Sequence, residues 1–98
     1  MNGHARKPLL TRYEMTRIVG LRALQLDAGA KALVEVTDER LRCDMTYVAA
    51  LELSMGHLNA IVQRHNEDVP VQRSRMPPEL DILLDTKDGG KRRIFLRR

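Results

Sequence analysis

Aromatic side chains are scarce in this chain: two Tyr, one Phe and no Trp make up 3% of its 98 residues. Proteins that hold single-stranded nucleic acid stack bases on such rings, so the scarcity argues against a stacking platform. One cysteine, Cys43, excludes an internal disulfide and fits a reducing compartment. No apolar run approaches the ~18 residues that span a bilayer, so no membrane partner is expected. Met1 to Pro8 carry charge but lead into no apolar core of the kind a secretory signal needs. Histidine is also sparse. His4, His57 and His65 are scattered and have no zinc-ligand spacing with Cys43. His57 and His65 read as solvated side chains. Gly89-Gly90-Lys91 lacks the remainder of a phosphate loop and reads as a turn. Ser54 and Ser74 show no partnering His and acid. No cofactor, metal or small-molecule substrate is expected.

What is present is enough for a fold. Hydrophobic residues reach 43% and charged residues 31%, which is not the composition of a disordered chain. The length suits one domain, burying somewhat more than ~60% of its unfolded surface. Seventeen basic residues against thirteen acidic leave a net charge of +4, which suits either nucleic acid or an acidic protein surface. The basic residues cluster only at Lys91, Arg92, Arg93, Arg97 and Arg98.

Residues 1–10 read as a flexible lead, and 11–98 as a single domain. Thr11-Arg12-Tyr13-Glu14 has the spacing of a capping box, so a first helix starts there. Gly29 suits its left-handed end. Leu33 to Val36 reads as a short strand and Asp38 to Asp44 as a loop. Asp44 is a candidate N-cap for a second helix. Val48, Leu51, Met55, Leu58 and Val62 recur at helical spacing and carry it to His65 or Asn66. Val69-Pro70-Val71 opens an extended stretch that Pro77-Pro78 closes. Leu80, Ile82 and Leu84 alternate, as do Ile94 and Leu96, about an Asp88-Gly89-Gly90 turn, which predicts a hairpin. Asp81 and Asp85 then share one strand face as solvated carboxylates. The expected fold is α+β: two helices packed on a small, mostly antiparallel sheet with a C-terminal hairpin.

The first helix carries two apolar arcs. Met15, Ile18, Val19, Ala23 and Leu26 form one, with Arg22 among them. Tyr13, Leu21, Leu24 and Ala28 form another nearly opposite, with Arg17 among them. A surface helix of a lone domain needs one apolar face. Two faces suit either the central helix of a small core or a helix buried by its own core on one side and a partner on the other. Each Arg needs a specific acceptor if it is desolvated. Gly20 costs the helix ~1 kcal/mol relative to Ala, and close approach of another backbone would use it.

The segment from Leu10-Thr11-Arg12-Tyr13-Glu14 through Arg17-Ile18-Val19-Gly20-Leu21-Arg22-Ala23-Leu24-Gln25-Leu26 to Gly29-Ala30 resembles the signature of a small RNA polymerase subunit family. That family comprises the subunit shared by the nuclear RNA polymerases, archaeal subunit K and, more distantly, bacterial omega. Thr11, Tyr13, Glu14, Arg17, Gly20, Arg22, Ala23 and Gln25 fall at its spacings. Val69-Pro70-Val71, running to Ser74-Arg75, looks like its extended Ile-Pro segment before an Arg pair. Lys31-Ala32 and Asp44-Met45 stand where the family usually has proline. Such departures suit a divergent member, archaeal or encoded by a large DNA virus.

The resemblance implies a non-catalytic subunit of a multisubunit DNA-directed RNA polymerase that clamps the largest subunit and promotes assembly. It implies an interface of Tyr13, Glu14, Arg17, Gly20, Leu21, Arg22, Leu24 and Gln25, without specific DNA contact. It places the chain in an intracellular polymerase complex, in an archaeal or viral cytoplasm ahead of a nucleus, with virion packaging open to a viral member. The competing reading is a free-standing, basic nucleic-acid-binding transcription factor. The basic 91–98 segment favours it, and the lack of a basic recognition helix counts against it.

Overall fold

The computed structural model describes residues 7–65 and 67–92. The elements run α1 (Arg12–Asp27), α2 (Glu39–Arg42), α3 (Met45–Ser54), β1 (Ile61–Arg64), β2 (Glu67–Pro70), a 3-10 turn (Val71–Arg73) and α4 (Pro78–Asp88). This is an α+β fold, as expected, with a different allocation of segments.

The capping box forms. The Glu14 amide donates to Thr11 Oγ1 at 3.0 Å, and the Thr11 amide donates to Glu14 Oε1 at 2.9 Å. At the other end of α1, Gly29 takes a φ of 105°. The Gly29 and Ala30 amides donate back to the carbonyls of Leu26 and Gln25, the paired bonds of a Schellman ending. Asp44 caps α3 by accepting from the Tyr47 amide at 3.1 Å.

The central helix is α3 rather than α1. Every residue from Tyr47 to Leu53 is buried, so its short run is apolar on nearly all sides and packs chiefly against α1 and α4. It stops at Ser54, well short of the expected His65. Gly56, at φ 76°, lets the chain turn back, and the His57 amide closes onto the Glu52 carbonyl. Val62 therefore keeps its helical spacing only by coincidence and lies in β1. That strand pairs antiparallel with β2, Val62 opposite Val69 and Arg64 opposite Glu67.

Three further expectations are corrected. Leu33 to Val36 forms no ladder; it is an irregular strap, bent at Leu33 and Val34, whose Val34 and Val36 pack against the core. The stretch Asp38 to Asp44 holds a one-turn helix, α2, capped by Asp38. The C-terminal hairpin is replaced, in its first half, by α4. Pro78 opens that helix at a position where no amide hydrogen is needed, and Gly89 ends it in the left-handed conformation. Leu80 and Leu84 are buried one turn apart while Ile82 is 62% exposed, which a shared strand face would not allow. The expected second strand, with Ile94 and Leu96, lies outside the described residues.

Residues 7–10, within the expected lead, are docked. Leu9 forms a parallel bridge with Arg75, whose amide donates to the Pro8 carbonyl at 2.7 Å. Leu10 is fully buried in the core.

Candidate protein-protein interface

Two ion pairs fix how α1 lies on the domain. Arg22 reaches inward to Glu52 of α3, donating from Nε at 2.5 Å and from Nη2 at 3.2 Å. The Glu52 side chain is 0% exposed. Arg22 also donates to the Lys31 carbonyl at 3.0 Å and to Gln25 Oε1 at 3.1 Å, while the Leu33 amide donates to Glu52 Oε2 at 2.7 Å. The pair thus joins α1, α3 and the start of the strap, and every strong acceptor of the buried carboxylate is used.

The second pair holds the N-terminal turn of α1. Arg64 of β1 donates to both oxygens of Glu14, from Nε at 2.9 Å and from Nη2 at 2.5 Å, and to the Leu9 carbonyl at 2.9 Å. Those bonds, with the Thr11 amide and hydroxyl, outweigh partial burial and hold the Glu14 carboxyl down at about 2.

With the core face of α1 spent in this way, its second arc remains outside. Tyr13 is 68% exposed, Leu21 59% and Leu24 65%. Gly20 and Gln25 are exposed too. Arg17 lies over the Tyr13 ring, 5.7 Å from its centre, with Nη1 3.4 Å from the phenolic oxygen. It forms no ion pair among the described residues. The eight residues singled out in the sequence therefore divide. Tyr13, Arg17, Gly20, Leu21 and Leu24 face outward together. Glu14 and Arg22 point into the domain, and Gln25 supports Arg22. The sequence called for a specific acceptor at Arg22 but did not single out Glu52, whose signal was an acid set within the apolar run Tyr47 to Leu53. Nothing in the sequence marked Arg64 as the partner of Glu14.

A groove of about 590 Å³ lies between the strap and α3, with Leu33, Val36, Leu41, Leu51 and Met55 among its walls. Its polar side carries Tyr47, whose hydroxyl donates to Asp88 at 2.8 Å. Burial first, then that carboxylate, push the Tyr47 phenol upward. Arg92 is bound by Asp81, Asp85 and Asp88, so one cation of the basic end is paired within the chain. Among the described residues no cluster of His, Cys, Asp or Glu is placed to hold a metal, and no helix is long and apolar enough to cross a membrane.

The sequence model of the RNA polymerase Rpb6 family matches residues 7–60, the stretch that contains α1, the strap, α2 and α3. The chain belongs to that family. The Rpb6 match takes in both members of the Arg22–Glu52 pair, whereas Arg64 lies beyond it. A DNA-directed RNA polymerase subunit Rpo6 from Thermofilum pendens is 37% identical over 78 residues, covering 74% of this chain and 94% of the relative. The Rpo6 subunit of Pyrobaculum aerophilum is 40% identical over 75 residues, covering 76% of this chain and 70% of the relative. A probable subunit RPABC2 of DNA-directed RNA polymerases I, II and III from Caenorhabditis elegans is 37% identical over 65 residues, covering 66% and 45%. The family is therefore one of RNA polymerase subunits, and the similarity extends to both Rpo6 and RPABC2 relatives.

Proposed function

We propose that this Rpb6-family chain is a non-catalytic assembly subunit of a multisubunit DNA-directed RNA polymerase and clamps the largest subunit through the outward face of α1. The observation that carries this reading is the division of α1. One arc is locked onto α3 while Tyr13, Leu21 and Leu24 stand in solvent on the same helix. An apolar stripe of that kind on a small domain marks a surface that a partner covers. A subunit that binds the assembled partner and not its unfolded form stabilises it by mass action, about 2.7 kcal/mol when present at a hundred times its Kd.

Direct, sequence-specific DNA contact is not part of this reading. Arg22, Arg64 and Arg92 are each committed to carboxylates of the same chain, which leaves fewer free cations for phosphate. The chain works inside a polymerase complex within the cell. Size-exclusion of native extract, followed by mass identification of the chains that travel with this one, tests the proposal. Co-elution with the largest polymerase subunit in high salt is the expected result. Elution only as a free ~11 kDa species overturns it, and salt-sensitive retention on DNA by that free species would favour a nucleic-acid-binding module instead.

A further inference from the structure

We infer that what covers α1 is a helix of the partner chain that crosses it at Gly20 and presents a carboxylate to Arg17. This rests on the reading of α1 as a polymerase-subunit interface and specifies the chemistry and shape of the partner there.

Gly20 is unexplained by its own domain. It lies in the interior of α1 with an ordinary helical φ, so no left-handed turn calls for glycine. A Cβ placed on it would meet nothing within 4 Å. Alanine would fit and would favour the helix. What glycine supplies is a missing side chain on an exposed surface, and so a notch. Its neighbours one turn away on either side are Arg17 and Leu24. Tyr13 and Leu24 stand at either end of the stripe, with Leu21 along its flank.

The dimensions of that stripe select a helix as the occupant. Tyr13, Arg17, Gly20, Leu21 and Leu24 recur at three- and four-residue spacing, so they run along the axis for about 16 Å. Side chains in such rows form the ridges and grooves into which a second helix packs, and a residue without a side chain at the crossing lets the two axes approach most closely. An extended strand lying along α1 would gain nothing from one notch in the middle.

Arg17 then fixes the charge. Arg22, Arg64 and Arg92 all meet carboxylates of this chain, whereas Arg17 meets, among the described residues, the Tyr13 ring and hydroxyl and no carboxylate. Covering the stripe desolvates this guanidinium, and a desolvated cation without a partner is costly. The covering helix therefore brings the carboxylate, within one turn of the crossing.

The test uses the full chain co-expressed with the large polymerase subunits of its own genome, in competition with wild type for incorporation. Four variants are compared: Gly20→Ala, Gly20→Leu, Arg17→Ala and Leu24→Asp. Gly20→Leu overfills the crossing and is expected to lower incorporation about tenfold or more. Gly20→Ala is expected to lower it less. Both should leave the melting temperature of the full chain unchanged or raised, so lost incorporation is not lost folding. Arg17→Ala should lower incorporation, and a charge reversal at one carboxylate of the partner helix should do the same. Wild-type incorporation of Gly20→Leu, with Leu24→Asp excluded, overturns the crossing and leaves the interface reading standing. Wild-type incorporation of Leu24→Asp overturns the interface reading itself. Self-association of the isolated chain through Gly20 would assign the face to a second copy and overturn the partner helix.

Discussion

Arg22 and Glu52, thirty positions apart, meet in a two-bonded ion pair whose carboxylate is completely enclosed. The same carboxylate accepts the Leu33 amide, and the same guanidinium holds the Lys31 carbonyl. The carboxylate is sealed from water, so deleting Arg22 leaves a buried charge without its cation. Arg22→Ala is expected to cost roughly 3–5 kcal/mol of stability. Arg22→Lys should recover only part of it, because an ammonium cannot make the planar fork contact. The double variant Arg22→Met, Glu52→Leu should be more stable than Arg22→Ala alone. Urea unfolding of the three chains measures this. An unfolding midpoint for Arg22→Ala equal to wild type would show that the pair does not hold α1.

Glu14 makes stability depend on pH in the acid range. Its carboxyl sits at about 2 in the fold against an ordinary 4.5, chiefly through the Arg64 hydrogen bonds. A carboxyl held below its unfolded value stabilises the fold fully above about pH 4.5, and that stability disappears as pH falls toward 2. The side chain is 17% exposed, so the free energy involved is at most about 3 kcal/mol. Glu14→Gln should flatten the fall in stability between pH 4.5 and 2 and lower stability at neutral pH. Thermal melts across that range decide it; an unchanged pH profile in Glu14→Gln would remove Glu14 as the titrating group.

The outward face of α1 and its inward face should respond to mutation in opposite ways. Tyr13→Ala with Leu24→Asp touches only exposed positions, so the change in folding stability should stay within about 0.5 kcal/mol. Incorporation into polymerase should fall sharply. Val19→Ala, on the buried face, should do the reverse, lowering the melting temperature first. Parallel melting and pull-down measurements on the two variants separate these roles.

α4 can be distinguished from a strand by two substitutions. Ile82→Lys alters a mostly exposed helix position and is expected to be nearly neutral, within about 0.5 kcal/mol. Leu84→Ala empties a fully buried position and is expected to cost about 2–5 kcal/mol. Equal, large losses at both positions would mean that Ile82 and Leu84 share one buried face, as in a strand.

Short-range signals were the legible ones. Thr11 with Glu14, Gly29 after α1 and Asp44 before α3 each act within about one turn, and each has its expected role. The two arcs of α1 were readable for the same reason. Leu80, Leu83 and Leu84 fit a helix as well as Leu80, Ile82 and Leu84 fit a strand, and only packing against α3 decides between the periods. Pro77-Pro78 misled because proline both ends extended segments and opens helices. Gly56 stops α3, yet a stripe that continued in register to Val62 concealed it. The partners of Arg22 and Glu14 were not legible because Glu52 and Arg64 lie thirty and fifty positions away, where no local rule reaches.

The pairing of Leu9 with Arg75 also has a kinetic meaning. Arg75 Nε donates to the Lys7 carbonyl across 68 positions of chain, so this contact closes a loop of most of the described sequence. Closing so long a loop costs more entropy than forming α1 or the β1–β2 hairpin, and the strand that does it is a single bridge. It is therefore expected to form last in folding and to open first, exposing Leu10 before the helices separate. The resistance of this chain to proteases is then expected to depend on Lys7 to Leu10, a latch whose Leu10 plugs the core it closes.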